Sequence, residues 1–325
     1  MVKRERMIQI VTPCRLHFGL IDLNGALGRV DGGIGVALNE PSVILKAELS
    51  ERDCVLGDQS ISEELMGLMG HIKSYFNLDG HFEITLERTI PRHVGLGATT
   101  QLYLAVARAL TELSSLTVSA RELAICVARG GTSGIGVAAF EFGGLILDFG
   151  HTFGASRQKQ SFLPSSKSRA PPPQYIRFPL PDDWYFVCAL PRAEHIHGLR
   201  EVSIFQTYCP VARADVERLC HLLLMKILPS AVEPDIESFG EGLNQMQGLG
   251  FKRIELELQT EDVRNLIAAL KEEAFGAGLS SFGPTVYALA EGRDHARALS
   301  EVAQGFCETV IISSVNRSGA RVTAE

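Results

Sequence analysis

The feature that most constrains the fold of this chain is a strand, a glycine-rich loop and a helix within residues 82–113. Phe82, Ile84 and Leu86 alternate with polar residues, which is the two-residue period of a half-buried strand. Apolar residues then recur at helical spacing from Leu102 to Leu113. The glycines of the intervening sequence GLGATT allow the backbone to turn tightly and to approach a ligand closely.

This loop has the properties of a phosphate-binding site. The first amides of a helix have no partner within the helix, and the helix dipole places partial positive charge behind them. No Gly-Lys-Ser/Thr follows, which excludes a Walker loop, and a threonine-capped turn without a ligand is the alternative. The candidate phosphate-binding residues are Gly95, Leu96, Gly97, Ala98, Thr99 and Thr100.

Composition restricts the ligand and the compartment. The net charge of −7 argues against nucleic acid or an anionic membrane as a partner, so an anionic ligand needs a local group of arginines. The seven cysteines are scattered without a CxxC pair, which favours reduced thiols and a cytoplasmic protein. No apolar run has the length of a signal peptide core or a membrane span.

A second polar region lies among glycines near the start of the chain. A strand is predicted from Met7 to Val11, ended by Pro13, and Asn24-Gly25 and Asp31-Gly32-Gly33 are turn signals. Solvated charges on turns are one interpretation, and a ligand site that the backbone approaches closely is the other. The candidate site residues of this region are Arg15, His17, Asp22, Arg29 and Asp31.

The middle of the chain suggests a domain boundary. A glycine-rich turn after residue 130 is predicted to open a short helix and lead into a strand from Leu145 to Asp148. Residues 152–175 are rich in Ser, Pro, Lys and Arg, which favours either a solvated loop or a lid over an anionic substrate. We therefore divide the chain into an N-terminal domain, 1–175, and a C-terminal domain, 176–325.

The second half is predicted to combine helices with an antiparallel sheet. A strand is expected from Trp184 to Leu190, and helices are expected from Val211 to Gln247 and from Glu261 to Phe275, closed by glycines. His195 and His197 suggest a metal pair, although on a loop they are expected to face solvent.

Three segments together resemble the GHMP family of small-molecule kinases. The central phosphate motif of that family, P-x-x-x-G-L-G-S-S, is matched by PRHVGLGAT at residues 91–99. Residues 15–33 take the place of its substrate motif, and GLSSFG at 278–283 takes that of its C-terminal glycine-rich motif. The resemblance implies an α+β fold of two domains with a ligand cleft between them, and it adds Ser280 and Ser281 to the phosphate-binding candidates.

One position departs from the kinases. Several of them carry Ser-Gly-x-Asp on the helix after the phosphate loop, where the aspartate handles the acceptor hydroxyl. The matching run here is Ser133-Gly134-Ile135-Gly136, so a glycine stands where the carboxylate should be. A kinase of that branch would lose its base or charge stabiliser, which weakens the kinase interpretation.

Longer motifs resemble a branch of the same superfamily, the beta-ribofuranosylaminobenzene 5'-phosphate synthases of methanopterin biosynthesis. They are RLHFGLIDLNG, GRVDGGIGVAL, GLGATTQLYLAVA, RGGTSGIGVAAFEFGG, FLPSSKSRAPP and SSFGPTVYA. The resemblance implies an enzyme that joins phosphoribosyl pyrophosphate to 4-aminobenzoate or 4-hydroxybenzoate and releases pyrophosphate and carbon dioxide. We also expect Mg²⁺ beside the pyrophosphate, no need for ATP and, from the resemblance, a homodimer.

This chemistry suggests roles for the candidate residues. Departing pyrophosphate leaves an oxocarbenium-like carbon, so the protein must neutralise the leaving group and exclude water. His17 is the candidate for proton movement, and Asp22 and Asp31 are candidates to hold a metal or the ribose diol or to stabilise the positive carbon. The candidate substrate-binding residues are Arg15, Arg29, Arg92 and Ser133. We expect Asp31→Asn to reduce turnover by orders of magnitude with little loss of stability. The alternatives are an ATP-dependent kinase and a binding protein.

Overall fold

The computed structural model describes residues 7–193, 196 and 198–324, so the histidine pair at 195 and 197 lies outside the described residues. The strands are β1 (Ile8–Asp22), β2 (Arg29–Ser50), β3 (Cys54–Leu56), β4 (His81–Arg88), β5 (Leu145–Asp148), β6 (His151–Thr152), β7 (Tyr175–Phe178), β8 (Trp184–Leu190), β9 (Gly276–Leu279), β10 (Val286–Glu291), β11 (Thr309–Ser314) and β12 (Arg321–Ala324). The helices are α1 (Gln59–Phe76), α2 (Ala98–Leu113), α3 (Ala120–Cys126), α4 (Ile135–Phe142), α5 (Leu199–Tyr208), α6 (Arg213–Leu222), α7 (Leu228–Val232), α8 (Ile236–Met246), α9 (Gly250–Glu257), α10 (Glu261–Lys271) and α11 (Gly292–Gln304), and a π-helical turn (Leu223–Ile227) joins α6 to α7.

The first sheet is organised around a long hairpin of β1 and β2. Its strands run in the order β12–β1–β2–β4–β3, while β5 and β6 also pair with β2. The predicted turn at Asn24-Gly25 is confirmed, because it lies in the connection that joins the antiparallel ends at Asp22 and Asp31. β1 and β2 lie in the middle of this sheet. Several polar residues of the N-terminal region, which belong to these strands, therefore lie in the interior.

Two local predictions in this hairpin are wrong. β1 does not end at Pro13 but continues to Asp22 through a register shift between Thr12 and Cys14. The second turn signal, Asp31-Gly32-Gly33, lies inside β2, where Asp31 and Gly32 have φ values of 67° and 68°. Turn chemistry therefore bends a continuous strand at this position.

The strand, loop and helix that constrained the fold are confirmed as β4, the loop after it and α2. One face of α2 is buried through Leu102, Ala105, Val106, Ala109 and Leu110. This face packs on β1 and β2, so the N-terminus of α2 is fixed relative to the long hairpin.

The second sheet is antiparallel, as predicted, with the strand order β11–β8–β10–β9. The predicted helix over 211–247 is instead a series, α6 to α8, broken at residues 233–235. The glycines predicted to close the helix after Glu261 instead form the strand β9. A Cβ on Gly276 would lie 2.6 Å from the carbonyl oxygen of Gly240 on α8. These glycines therefore allow close packing of helix on strand.

The two halves of the chain interlock. β12, at the end of the described chain, pairs with β1 in the first sheet, and β11 of the second sheet contacts β2. Within the described residues, no helix has the length and apolar character needed to cross a membrane.

Candidate active site

A cleft of about 360 Å³ lies where the loop before α2 meets the loop between β9 and β10. Glycines and the first turn of α2 form one wall, and the start of α4 forms another. The cleft residues on these elements are Arg15, Gly95, Gly97, Ala98, Thr99, Thr100, Ser133, Gly136, Ser281 and Gly283. The positive ends of two helix dipoles therefore converge on one space, which favours an anionic ligand.

The candidate phosphate loop is shaped by glycine. Gly97 precedes α2 with a φ of 80° and has no side chain to cap the first amides of the helix. Gly95, Gly97, Ala98, Thr99 and Thr100 line the cleft. Leu96 points into the core and is fully buried, and it takes part through its carbonyl oxygen, which accepts the Arg15 amide at 3.1 Å.

Arg15 lies across this loop. Its Nη1 donates to the carbonyl oxygen of Gly95, and a Cβ on Gly97 would lie 3.0 Å from its Cγ. Burial lowers the pKa of Arg15 to about 10, because the charged form loses solvation, so the guanidinium is still protonated at neutral pH. The structure therefore adds a fixed positive charge to the loop amides.

Ser133 connects the cleft to two buried side chains. Its Oγ donates to Asp148 Oδ2 at 3.3 Å and lies 3.1 Å from His17 Nε2. Burial, together with the positive charges of Arg15 and Lys252, holds the pKa of His17 well below its ordinary value. His17 is therefore a neutral imidazole that contacts the cleft through Ser133.

No motif of the sequence singled out Asp148, which is 1% exposed. Its carboxylate accepts the amides of Gly134 at 2.9 Å and Gly150 at 3.0 Å. Burial nevertheless raises its pKa to about 7, because desolvation outweighs these two hydrogen bonds. The available signal was an acidic residue at the end of an apolar strand, followed two residues later by a glycine.

The two candidate aspartates lie away from the cleft lining. Asp22 caps the hairpin connection, where its Oδ1 accepts the amides of Asn24 at 2.7 Å and Gly25 at 2.9 Å. Asp31 is 1% exposed and is paired with His151 at 2.6 Å and Lys159 at 2.9 Å. Both oxygens of Asp31 are therefore occupied within the protein, and neither aspartate lines the cleft.

Two candidate arginines are also engaged elsewhere. Arg29 donates to the carbonyl oxygens of Phe149 at 2.8 Å and Gly150 at 3.0 Å on the protein surface. Arg92 binds both carboxylate oxygens of Glu64, at 2.8 and 2.9 Å, and this pairing raises its pKa. The structure therefore brings Arg15 to the cleft and leaves Arg29 and Arg92 outside its lining.

Ser280 and Ser281 join the C-terminal half to the phosphate loop. The Ser280 hydroxyl donates to the Gly95 carbonyl oxygen at 2.7 Å and accepts the His17 amide at 3.0 Å. The amide of Ser281 donates to the His17 carbonyl oxygen at 2.9 Å, and Ser281 lines the cleft. Ser280 is fully buried, so it fixes the position of the loop and Ser281 faces the cleft.

Two further charged residues line the cleft, Arg129 after α3 and Glu201 on α5. Burial and the neighbouring charge of Glu255 raise the pKa of Glu201 to about 7. Ser165 and Ser166 place part of the 152–175 loop on the same wall. Arg129, Ser165 and Ser166 lie within two of the motifs that resemble the synthases, but neither they nor Glu201 were among the candidate site residues.

The described residues contain no group of three or more His, Cys, Asp or Glu side chains that could hold a metal ion. A divalent cation would therefore need most of its ligands from a bound phosphate compound. The hydroxyls of Thr99 and Thr100 and the carboxyl of Glu201 are among the oxygen groups that line the cleft.

Comparison with known proteins decides the family. The models described as GHMP kinases N terminal domain and GHMP kinases C terminal match residues 64–144 and 227–309. The beta-ribofuranosylphenol 5'-phosphate synthase of Methanothermobacter thermautotrophicus is 47% identical over 87% of this chain and 88% of its own. The synthase of the same name from Archaeoglobus fulgidus is 43% identical over 96% of this chain and 98% of its own. The chain belongs to the beta-ribofuranosylphenol 5'-phosphate synthase family.

Membership of this synthase family confirms the resemblance found in the sequence motifs. The predicted α+β fold of the GHMP kinases is confirmed as well. Homoserine kinase from Cytophaga hutchinsonii superposes with a TM-score of 0.68 over 98% of this chain and 97% of its own, at 16% identity. At that identity the likeness concerns the fold alone.

The structure gives a physical reason for the glycine that replaces the kinase carboxylate in this member of the synthase family. A Cβ on Gly136 would lie 3.1 Å from Cγ2 of Thr100, which is tighter than most such contacts. The first turns of α2 and α4 therefore pack against each other at the place where a longer side chain would stand.

Proposed function

We propose that this enzyme transfers the ribosyl 5-phosphate group of phosphoribosyl pyrophosphate to 4-aminobenzoate or 4-hydroxybenzoate. The new bond joins the anomeric carbon to the ring carbon that carries the carboxylate, and pyrophosphate and carbon dioxide leave. The observation that carries the proposal is the similarity to a named synthase at 43% identity over 96% of the chain. We place the reaction in methanopterin biosynthesis, as the motif resemblance implies.

The first requirement of this reaction is a stable leaving group. The uncapped amides at the start of α2 and the Arg15 guanidinium would receive the two phosphates of the pyrophosphate group. We propose that Mg²⁺ accompanies the pyrophosphate, with the hydroxyls of Thr99 and Thr100 as the nearest oxygen groups of the loop. The ion would supply charge neutralisation as the pyrophosphate departs.

The acceptor side is consistent with the missing carboxylate at position 136. A kinase acceptor is a hydroxyl that loses a proton, whereas this acceptor attacks through a ring carbon. Cleavage of the bond to carbon dioxide returns an electron pair to the ring, so no proton has to be removed there. Gly136 and the neutral His17 fit this chemistry, because neither places a negative charge beside the positive charge of the loop.

A paired substrate assay tests the proposal. Phosphoribosyl pyrophosphate with 4-aminobenzoate, or with 4-hydroxybenzoate, should give pyrophosphate and carbon dioxide in equal amounts without ATP. ATP with small alcohols should give no ADP. The opposite pattern, ADP release without carbon dioxide, would make the chain a kinase and would refute the proposal.

We also propose that the enzyme is a homodimer, as the family resemblance implies. Light scattering of the purified chain should give twice the mass of 35.4 kDa. A monomer at micromolar concentration would contradict this.

A further inference from the structure

Arg129 lines the cleft but has no role in the reaction steps described above. It lies beside Gly130 and Ser133 on the cleft wall. The end of α3 directs it there, because Ala128 has a left-handed φ of 53° and the amide of Arg129 returns to the Ala124 carbonyl oxygen at 2.8 Å. The backbone after α3 therefore fixes where this side chain starts.

An aromatic ring then packs beside the guanidinium. The guanidinium carbon of Arg129 lies 5.2 Å from the ring centroid of Tyr103 on α2, within the range of a cation–π contact. The Tyr103 hydroxyl donates to Glu64 at 2.7 Å, and Glu64 also binds Arg92 through both oxygens. The nearby carboxylate is thus occupied by Arg92, and Arg129 has a ring face instead.

The Arg129 side chain is incompletely satisfied. Its Nε is buried and has no hydrogen-bond partner among the described residues. Burial lowers the pKa of Arg129, because the charged form loses solvation that Tyr103 and Glu64 replace only in part. Buried donors are normally paired, and a planar guanidinium pairs best with two oxygens of one carboxylate or phosphate.

We propose that Arg129 is an anion-binding residue of this cleft, whose guanidinium pairs with one anionic group of the substrates. Two groups of the proposed substrates have this chemistry, the carboxylate of the benzoate and the 5-phosphate of the ribosyl donor. The identity of these ligands rests on the proposed function, whereas the anion site itself rests on the geometry of Arg129 and Tyr103.

Binding measurements without turnover test this assignment. Isothermal calorimetry with phosphoribosyl pyrophosphate alone and with 4-hydroxybenzoate alone compares the wild-type enzyme with Arg129→Gln. We expect Arg129→Gln to weaken one of the two ligands by about tenfold or more, since a charge-assisted pair is lost. The ligand that is weakened shows whether Arg129 binds the benzoate carboxylate or a phosphate of the ribosyl donor.

Arg108→Gln is the matched control. Arg108 lies on α2 like Tyr103, pairs with Glu112 at 3.3 Å and does not line the cleft, so both affinities should be unchanged. Arg129→Lys keeps the charge but loses the planar pair of donors, and we expect an affinity between those of wild type and Arg129→Gln. Thermal melting of each variant establishes that it is folded.

The outcomes separate this inference from the proposed function. If Arg129→Gln binds both ligands as tightly as wild type does, the inference is overturned even when the wild type is an active synthase. If the wild type shows no synthase activity, calorimetry with benzoate and with inorganic phosphate replaces the two substrates. Loss of either anion in Arg129→Gln then supports the site, and failure of the wild type to bind either anion overturns it.

Discussion

Asp148 shows how a single buried group couples the cleft to pH. It stands behind Ser133 and accepts two backbone amides, yet burial raises the pKa of its carboxyl from 3.8 to about 7. Between these values the folded chain keeps a proton on Asp148 that the unfolded chain has released. The contribution of Asp148 to stability therefore falls as the pH rises from about 4 to 7, by up to ~1.4 kcal/mol per pH unit.

We expect Asp148→Asn to remove this slope. The free energy of unfolding of the wild type, measured in urea at pH 5 and pH 7, should fall more steeply than that of the variant, by about 1–3 kcal/mol over the interval. Asp58→Asn is the control, because Asp58 is an exposed helix cap whose carboxyl pKa is lowered by Ser60, so it does not titrate in this window. Parallel curves for the wild type and Asp148→Asn would contradict the buried-carboxyl interpretation.

The loop of residues 152–175 is bound to the first sheet through one buried cluster. Lys159 is 4% exposed, and its Nζ donates to both oxygens of Asp31, at 3.0 and 2.9 Å, and to the Leu163 carbonyl oxygen at 3.3 Å. Thr132 donates to the same carbonyl oxygen at 2.6 Å. The expectation of a solvated loop is therefore wrong for Lys159, which anchors the segment that carries Ser165 and Ser166.

This cluster changes the expectation for Asp31→Asn. The substitution leaves the Lys159 charge buried without its partner, so we expect a loss of about 3–5 kcal/mol in the free energy of unfolding rather than little loss. Chemical denaturation measures it. Asp22→Asn is the matched control, since asparagine can still accept amides in a turn, and it should stay within about 1 kcal/mol of wild type.

The double variant Asp31→Asn/Lys159→Met distinguishes a buried ion pair from a general packing defect. It should recover part of the stability lost in Asp31→Asn, because the unpaired charge is gone. Equal losses in the single and double variants would show that the Lys159 charge is not responsible.

At the scale of the whole molecule, the cleft depends on bonds between the two halves of the chain. The Ser280 hydroxyl bonds to the Gly95 carbonyl oxygen, and the Thr285 amide donates to the Val94 carbonyl oxygen at 3.1 Å. On the other side, Lys252 on α9 donates to the carbonyl oxygens of Leu279 at 3.2 Å and Ser281 at 3.0 Å. These bonds keep the phosphate loop and the C-terminal glycine-rich loop in one fixed relation.

Gly95→Ala should disturb the contact between these two loops. Gly95 has a φ of 92°, and an added Cβ would lie 2.3 Å from the Ser280 carbonyl oxygen, which belongs to the backbone and cannot rotate away. We expect a loss of more than about 2 kcal/mol in stability, together with weaker pyrophosphate binding by calorimetry. Gly67→Ala, on the exposed face of α1 with nothing within 4 Å of its added Cβ, should instead stabilise the protein by up to about 1 kcal/mol. Similar stability in both variants would argue against close packing of Gly95 on the Ser280 backbone.

Local patterns were sufficient for much of the fold. The strand from Leu145 to Asp148, the strand from Trp184 to Leu190 and the helix after GLGATT are all found where their periods predicted them. Turn signals were less reliable, because glycine serves close packing in β9 and strand bending in β2 as well as turns. The short β12, which is exposed, pairs at the sheet edge with no pattern of its own.

Sequence motifs were therefore enough to identify the family and the general reaction, and local periods were enough to place the glycine-rich loop before its helix, because both kinds of signal lie within short segments. Only the tertiary structure decided which charges face the cleft. Asp31 and Lys159 are 128 positions apart and neutralise each other in the core, whereas Arg129 is brought to the cleft by the end of α3 and a tyrosine on another helix. Whether a charged side chain is paired within the protein or is available to a ligand depends on contacts between distant segments. These contacts follow from tertiary packing rather than from neighbouring residues.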